Sequence, residues 1–186
     1  MEYQSSHNPL YEITRMGFAV TWKLIDLGLD KSMDESIDAY LNEHGIICFL
    51  KDVLGNNSKR TDEIIDILCE DDDPVIMRKK LHEYAQKEPT SQRVQLRKWR
   101  AYALHELLTE IRNDPMGHAE LIWFWSTGLS LGDYLIEDYG SDAAKISEFY
   151  SQEGAKQIID VNEAFLAAEI KELSLIGKLE NDLAGC

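Results

Sequence analysis

The chain has 186 residues, with 34 acidic and 19 basic side chains giving a formal net charge of −15, and 44% of its residues are hydrophobic. That apolar share, with four Trp, eight Tyr and five Phe, is enough for a packed core and excludes a charged, disordered tail. The sign of the charge excludes duplex nucleic-acid capture as the main task, because neutralising phosphates needs a basic surface.

Nearly every segment carries a 3.6-residue apolar period and almost none alternates with period two, so the expected fold class is all-α. The pattern suits a compact, irregular bundle or stack of about seven to nine helices. It is expected to form a single domain over residues 1–186, with residues 1–9 and 177–186 frayed.

A first helix is expected from Leu10 to Asp26, with Ile13, Gly17, Val20, Leu24 and Leu27 forming a stripe that ends at Gly28. Ser32 and Glu35 have the spacing of a capping box, opening a helix to His44 that Gly45 stops as a left-handed cap. Ile46 to Leu54 reads as a short apolar helix closed by Gly55, and Thr61 caps the next one, which runs through Cys69. Asp73 before Pro74 is an acidic N-cap followed by a residue with no amide to orphan, and starts a helix ending near Glu88 and Pro89.

Thr90 or Ser91 opens the longest pattern, reaching Arg112, with Val94, Leu96, Trp99, Tyr102, Ala103, Leu107 and Ile111 apolar. Asp114 and Pro115 repeat the acidic cap ahead of Leu121 to Trp125. Five consecutive large apolar residues fit a helix enclosed on several sides, or a short buried strand, and the helix is favoured. Segments from Ser130 to Tyr139 and from Asp142 to Tyr150 precede a last helix, Ser151 to Ile176, whose apolar residues are Ile158, Val161, Phe165, Ala168 and Leu175.

Cys48, Cys69 and Cys186 are an odd number at wide spacing, which suits reduced intracellular thiols better than a disulfide framework. Met1 to Pro9 lacks the basic and apolar regions of a secretory signal, and no apolar run approaches the length of a membrane span. The expected compartment is the cytoplasm, without membrane contact.

Several pairs invite a chemical reading. His118 and Glu120 spell H-x-E, but the downstream P-C-x-x-C that completes a deaminase zinc site is missing. His44 and Cys48 lie four apart, yet Gly45 is expected to interrupt their helix, and no further zinc ligands can be nominated. His105–Glu106 and His82–Glu83 lack the second histidine of H-E-x-x-H. Asp71, Asp72 and Asp73 are contiguous before a proline, which fits helix capping better than a calcium loop with acids at alternate positions. Carboxylate pairs such as Glu106 with Glu110 and Glu169 with Glu172 arise readily in so acidic a chain. Signatures of nucleophile elbows, phosphate loops, dinucleotide folds and Cys-x-x-Cys redox sites are absent, so no catalytic residue, metal ligand or cofactor is assigned.

Charge is segregated along the chain. Residues 1–50, 101–150 and 151–186 carry −5, −7 and −4, while residues 51–100 sum to +1. Between Arg78 and Arg100, eight Lys or Arg residues meet two Glu. Arg93, Arg97 and Arg100 at helical spacing suit an RNA contact, but pairing with acids of the same fold is the preferred account. The densest acidic window holds Asp133, Glu137, Asp138, Asp142 and Glu148, interleaved with Tyr134 and Tyr139. Acids that steer a basic partner, with tyrosines as anchors, make these seven residues the candidate partner-binding surface.

Three stretches together resemble a known family: F-A-V-T-W-K-L-I-D-L-G-L (Phe18 to Leu29), L-R-K-W-R-A-Y-A-L (Leu96 to Leu104) and E-L-I-W-F-W (Glu120 to Trp125). It is a family of small bacterial helical proteins of unknown function, often encoded beside polymorphic toxins such as those of contact-dependent inhibition. The resemblance implies an immunity protein that binds and neutralises a cognate toxin domain, plausibly a basic nuclease, and it brings no catalytic residues. Two alternatives of other classes stay open: a helical-bundle enzyme or metal-binding protein whose carboxylates and histidines converge only in three dimensions, and a non-enzymatic adaptor.

Overall fold

A computed structural model describes residues 8–29, 40–56, 59–111, 118–126, 131, 151–178, 180 and 183. Among the described residues there are eight helices and no strand: α1 (Pro9–Arg15), α2 (Trp22–Leu29), α3 (Glu43–Gly55), α4 (Thr61–Leu68), α5 (Pro74–Lys87), α6 (Gln92–Ile111), α7 (His118–Ser126) and α8 (Gln152–Gly177). The protein is all-α, as its periodicity requires. Its contacts divide it into two compact units, one made of residues up to Trp99 together with those from Glu172 onward, the other of Arg100–Lys171.

In the first unit, the single helix expected over Leu10 to Asp26 is two helices. Asn8 caps α1 by accepting from the Leu10 amide at 3.1 Å. The helix stops at Gly17, whose φ of +80° lies in the left-handed region. There the Gly17 amide donates to the Thr14 carbonyl at 2.9 Å and the Phe18 amide to the Ile13 carbonyl at 3.2 Å, the two bonds of a Schellman cap. Phe18 to Trp22 are all buried, and Thr21 caps α2 by accepting from the Leu24 amide at 3.1 Å. Apolar spacing alone misses this break, because Val20 and Leu24 are interior in either geometry.

Gly28 is a packing residue within α2. A β-carbon placed there would lie 2.3 Å from Cζ2 of Trp99, so only glycine lets this indole lie against the helix. Trp99 donates its indole N–H to the Leu24 carbonyl at 2.9 Å and stacks on Tyr40 with ring centroids 4.8 Å apart.

Gly45 also departs from expectation. It sits in the first turn of α3, where Asn42 accepts from its amide at 2.8 Å, so the chain has a helix N-terminus here instead of a left-handed stop. The predicted capping box at Ser32 and Glu35 lies outside the described residues. Helix α1 packs on α3, α3 on α4, α4 on α5, and α5 on α2, burying Leu10, Ile13, Ile46, Leu50, Ile64, Ile67, Met77 and Leu81. Arg60, not Thr61, occupies the cap position of α4, without a side-chain cap bond. Asp73 caps α5 as expected, accepting from the amides of Val75 and Ile76 at 3.0 and 3.2 Å, with Pro74 leading the helix.

The tail expected to fray beyond Gly177 is docked where it is described. Leu183 is fully buried and its amide donates to the Val20 carbonyl at 2.8 Å. Glu180 accepts from Gln95 at 2.6 Å and pairs with the buried Lys98 ammonium. Burying an ammonium demands such a partner, and the sequence places it 82 residues away.

In the second unit, residues Arg100–Ile111 of α6 bury Tyr102, Leu104, Leu108 and Ile111, while α7 buries Leu121, Phe124 and Trp125. The α8 portion turns Ile158, Asn162, Leu166 and Glu169 inward. The stripe read from sequence for this helix is rotated: Val161 and Ala168 are exposed, as is Leu175 in the first unit. Polar Asn162 and Glu169 take core positions because Trp125 and Arg100 need them.

Candidate functional site

The seven residues expected to bind a partner, Asp133, Tyr134, Glu137, Asp138, Tyr139, Asp142 and Glu148, lie outside the described residues. So do the acidic cap at Asp114–Pro115 and Cys186. The surface field is therefore built from what surrounds them in sequence. The span Arg100–Lys171 contains thirteen acidic and five basic residues, a net charge of −8, in 72 of the 186 residues.

Inside this unit the Arg100 cation is withdrawn from the surface. The Arg100 guanidinium, 1% exposed, donates to Glu169 at 2.6 Å and stands over the rings of Trp125 and Phe165, 5.6 and 5.0 Å from their centroids. Trp125 in turn donates its indole N–H to Asn162 at 2.7 Å, and Asn162 donates to the Ile158 carbonyl at 2.8 Å. Every indole and amide dipole here has a protein partner, which is what holds polar groups in an apolar core. The carboxylates of Glu110, Glu120 and Glu153 stay exposed, with no ion-pair partner among the described residues.

Trp123 is the departure from the enclosed helix that the run Leu121 to Trp125 suggests. It is 52% exposed, on the face of α7 opposite Leu121 and Trp125. Glu120, one turn earlier, is exposed beside it. An exposed indole next to an unneutralised carboxylate is a recognisable anchor for a protein partner, because Trp contributes large apolar area with few rotatable bonds.

The basic stretch is compensated within the fold. Arg78 pairs with Glu43, Lys80 with Asp66 and Glu70, Arg97 with Glu172, Lys98 with Glu180, and Arg100 with Glu169. Five of the eight cations between Arg78 and Arg100 thus serve internal acids, and the RNA contact loses its basis in Arg97 and Arg100. The densest network surrounds Glu88. Its carboxylate is buried, accepts from the amides of Trp22 and Lys23 at 3.1 and 2.8 Å, and pairs with Arg60. Arg60 lies over the Trp22 ring and also pairs with Glu63, which accepts from the Trp22 indole at 2.6 Å.

A second polar cluster joins α4 to α5. Lys80 donates to Asp66 and Glu70, each at 2.8 Å, and Tyr84 donates to Asp66 at 2.9 Å. Hydrogen bonds from Lys80 and then Tyr84 hold the Asp66 carboxyl below its usual range, while those same acids push the ammonium above its own. Burial, and next the Asp66 bond, raises Tyr84.

The pairs singled out by sequence resolve differently. Asp71 pairs with Lys51, Asp73 caps α5, and Asp72 is exposed, so the triplet does the work of a helix start. His82 meets Asp26 through Nδ1 at 2.9 Å. Because α3 runs through Gly45, His44 and Cys48 do share a face, with Nε2 3.6 Å from Sγ. Among the described residues no three His, Cys, Asp or Glu side chains converge as a metal cluster, and no helix is long and apolar enough to cross a membrane.

No family model, curated protein or solved structure matches this chain.

Proposed function

We propose that this chain is an immunity protein of the cytoplasm, which binds a cognate, basic toxin domain and occludes its active site with an acidic surface. The observation that carries the reading is the second unit. It holds −8 of the chain's −15 charge, internalises Arg100 against Glu169, and leaves Trp123 and Glu120 outward. A basic nuclease domain presents cations where its substrate's phosphates sit, and carboxylates displayed around an aromatic anchor are complementary to them. Asp133, Tyr134, Glu137, Asp138, Tyr139, Asp142 and Glu148 extend the same acid-and-aromatic composition in the same sequence span.

The test is capture. The tagged chain, incubated with lysate of the strain it comes from, should retain a basic protein. Adding the purified chain should then stop that protein's nucleic-acid cleavage. A verified partner that is strongly anionic, or turnover of a metabolite by the isolated chain, rules the reading out.

A further inference from the structure

We propose that His44 and Cys48 form a binding site for a soft divalent cation, zinc by chemistry, on the N-terminal half of α3. A tetrahedral zinc ion bonds imidazole nitrogen at about 2.0–2.1 Å and thiolate sulfur at about 2.3 Å, which places the two donors roughly 3.5 Å apart. The distance from His44 Nε2 to Cys48 Sγ is 3.6 Å. The pair therefore already stands at the spacing the ion imposes, and binding requires loss of the thiol proton to solvent with little change in either side chain.

The turn that carries the pair is fixed from both sides. The Gly45 amide donates to Asn42, and the Gly45 carbonyl accepts from the Asn8 side chain, both at 2.8 Å. Two donors one helical turn apart on a pinned turn lose little freedom when they close on an ion. Access is open, since His44 is exposed and Cys48 half-buried. One further turn along the same stripe stands Asp52, whose carboxylate is engaged by the Tyr11 hydroxyl. It adds negative field without being a ligand. Tyr11 packs edge-on against Phe49, giving the stripe an apolar flank.

Among the described residues no third His, Cys, Asp or Glu joins the pair, so water completes the coordination and affinity is modest. The donor set decides the class of ion: a thiolate and an imidazole select zinc and its soft analogues, whereas magnesium and calcium require oxygen ligands.

The experiment is a cobalt(II) titration of the reduced, full-length chain, followed by the near-ultraviolet sulfur-to-cobalt charge-transfer band and reversed by zinc. The band is expected in the wild type and in Cys69→Ser, and lost in Cys48→Ser. His44→Gln should weaken apparent cobalt affinity about tenfold or more, by analogy with the cost of disturbing supporting groups around a metal. Circular dichroism of each variant establishes that its helices are intact. No band in the wild type, a band that survives Cys48→Ser, or one that disappears with Cys69→Ser overturns the assignment, as does unchanged affinity in His44→Gln. A thiol–imidazole hydrogen bond without metal affinity gives the first of these results.

Discussion

Glu88 holds the first turn of α2 through Trp22: one carboxylate oxygen accepts the Trp22 amide at 3.1 Å, and the other accepts the Lys23 amide at 2.8 Å. The two amides are among those a helix start leaves without an internal partner, and a carboxylate there also meets the positive end of the helix dipole. Glu88→Ala removes the acceptor and strips Arg60 of one of its two carboxylates. The expected loss is about 3 kcal/mol or more, as for breaking a buried charge pair from one side. Glu88→Gln should cost less, because an amide oxygen still accepts one bond. Urea unfolding followed by tryptophan fluorescence measures both, and equal losses in the two variants would contradict the capping role.

Gly28→Ala should destabilise the first unit, because the added carbon would lie 2.3 Å from Trp99 and 2.8 Å from Leu41. Overpacking of this kind costs about 1–3 kcal/mol. Trp99→Leu introduced into the Gly28→Ala background should recover part of the loss by removing the obstructing ring. A double variant whose loss equals the sum of the two single losses would show that the glycine matters for some reason other than the indole.

The Asp66–Lys80 pair sets a window of pH. Asp66 is held below its ordinary value of 3.8, so its contribution to stability is complete above that value and disappears as pH falls through the lower folded value. Lys80 is raised above 10.5, so its share is complete below that value and disappears as pH rises past it. Lys80→Met should therefore melt below the wild type at neutral pH, with the gap closing in strong acid and in strong base. A gap that does not change with pH would place its origin in packing of the lysine stem.

Tyr11 has its hydroxyl pushed up to about 12, first by burial and then by its bond to Asp52. Asp52→Asn removes the charge and leaves the burial, so the Tyr11 titration should move down toward the ordinary value of 10.0 without reaching it. The difference in phenolate absorbance between Asp52→Asn and a variant that also carries Tyr11→Phe isolates this one residue among eight tyrosines.

For the proposed partner interface, Trp123→Ala should raise the dissociation rate of the captured toxin and weaken binding by about 2 kcal/mol or more, as loss of an aromatic anchor does. Reversing the charge of Asp133, Glu137 and Asp138 should slow association, most at low salt, where screening is weakest. Stopped-flow mixing separates the two effects, and unchanged kinetics in both variants would remove these residues from the interface.

Helix type and number were readable because core-facing residues recur at the helical period, and Asp73–Pro74 shows how far a local signal reaches: its cap lies within three residues. Trp123 was equally readable in principle. At 100° per residue it points away from Leu121 and Trp125, but an uninterrupted apolar run masks that angle. The Gly17 cap and the passage of α3 through Gly45 were harder, since a glycine suits a stop, a start or a close contact, and neighbours distant in sequence decide which. The amides that Glu88 caps and the acids that pair with Lys98 and Arg100 lie 65 to 82 residues away, beyond any periodic reading. Such distances also hid the compensation of Arg97, Lys98 and Arg100, although the sign imbalance of the basic stretch announced that partners were needed.

The docking of Glu180 and Leu183 has a consequence for how this molecule comes into being. Lys98 and the Val20 carbonyl meet Glu180 and Leu183 only when chain segments 82 or more residues apart come together. Closing the first unit is thus a non-local event, in which distant stretches of chain must meet before a buried ammonium and a backbone carbonyl gain these contacts, and such contacts slow folding.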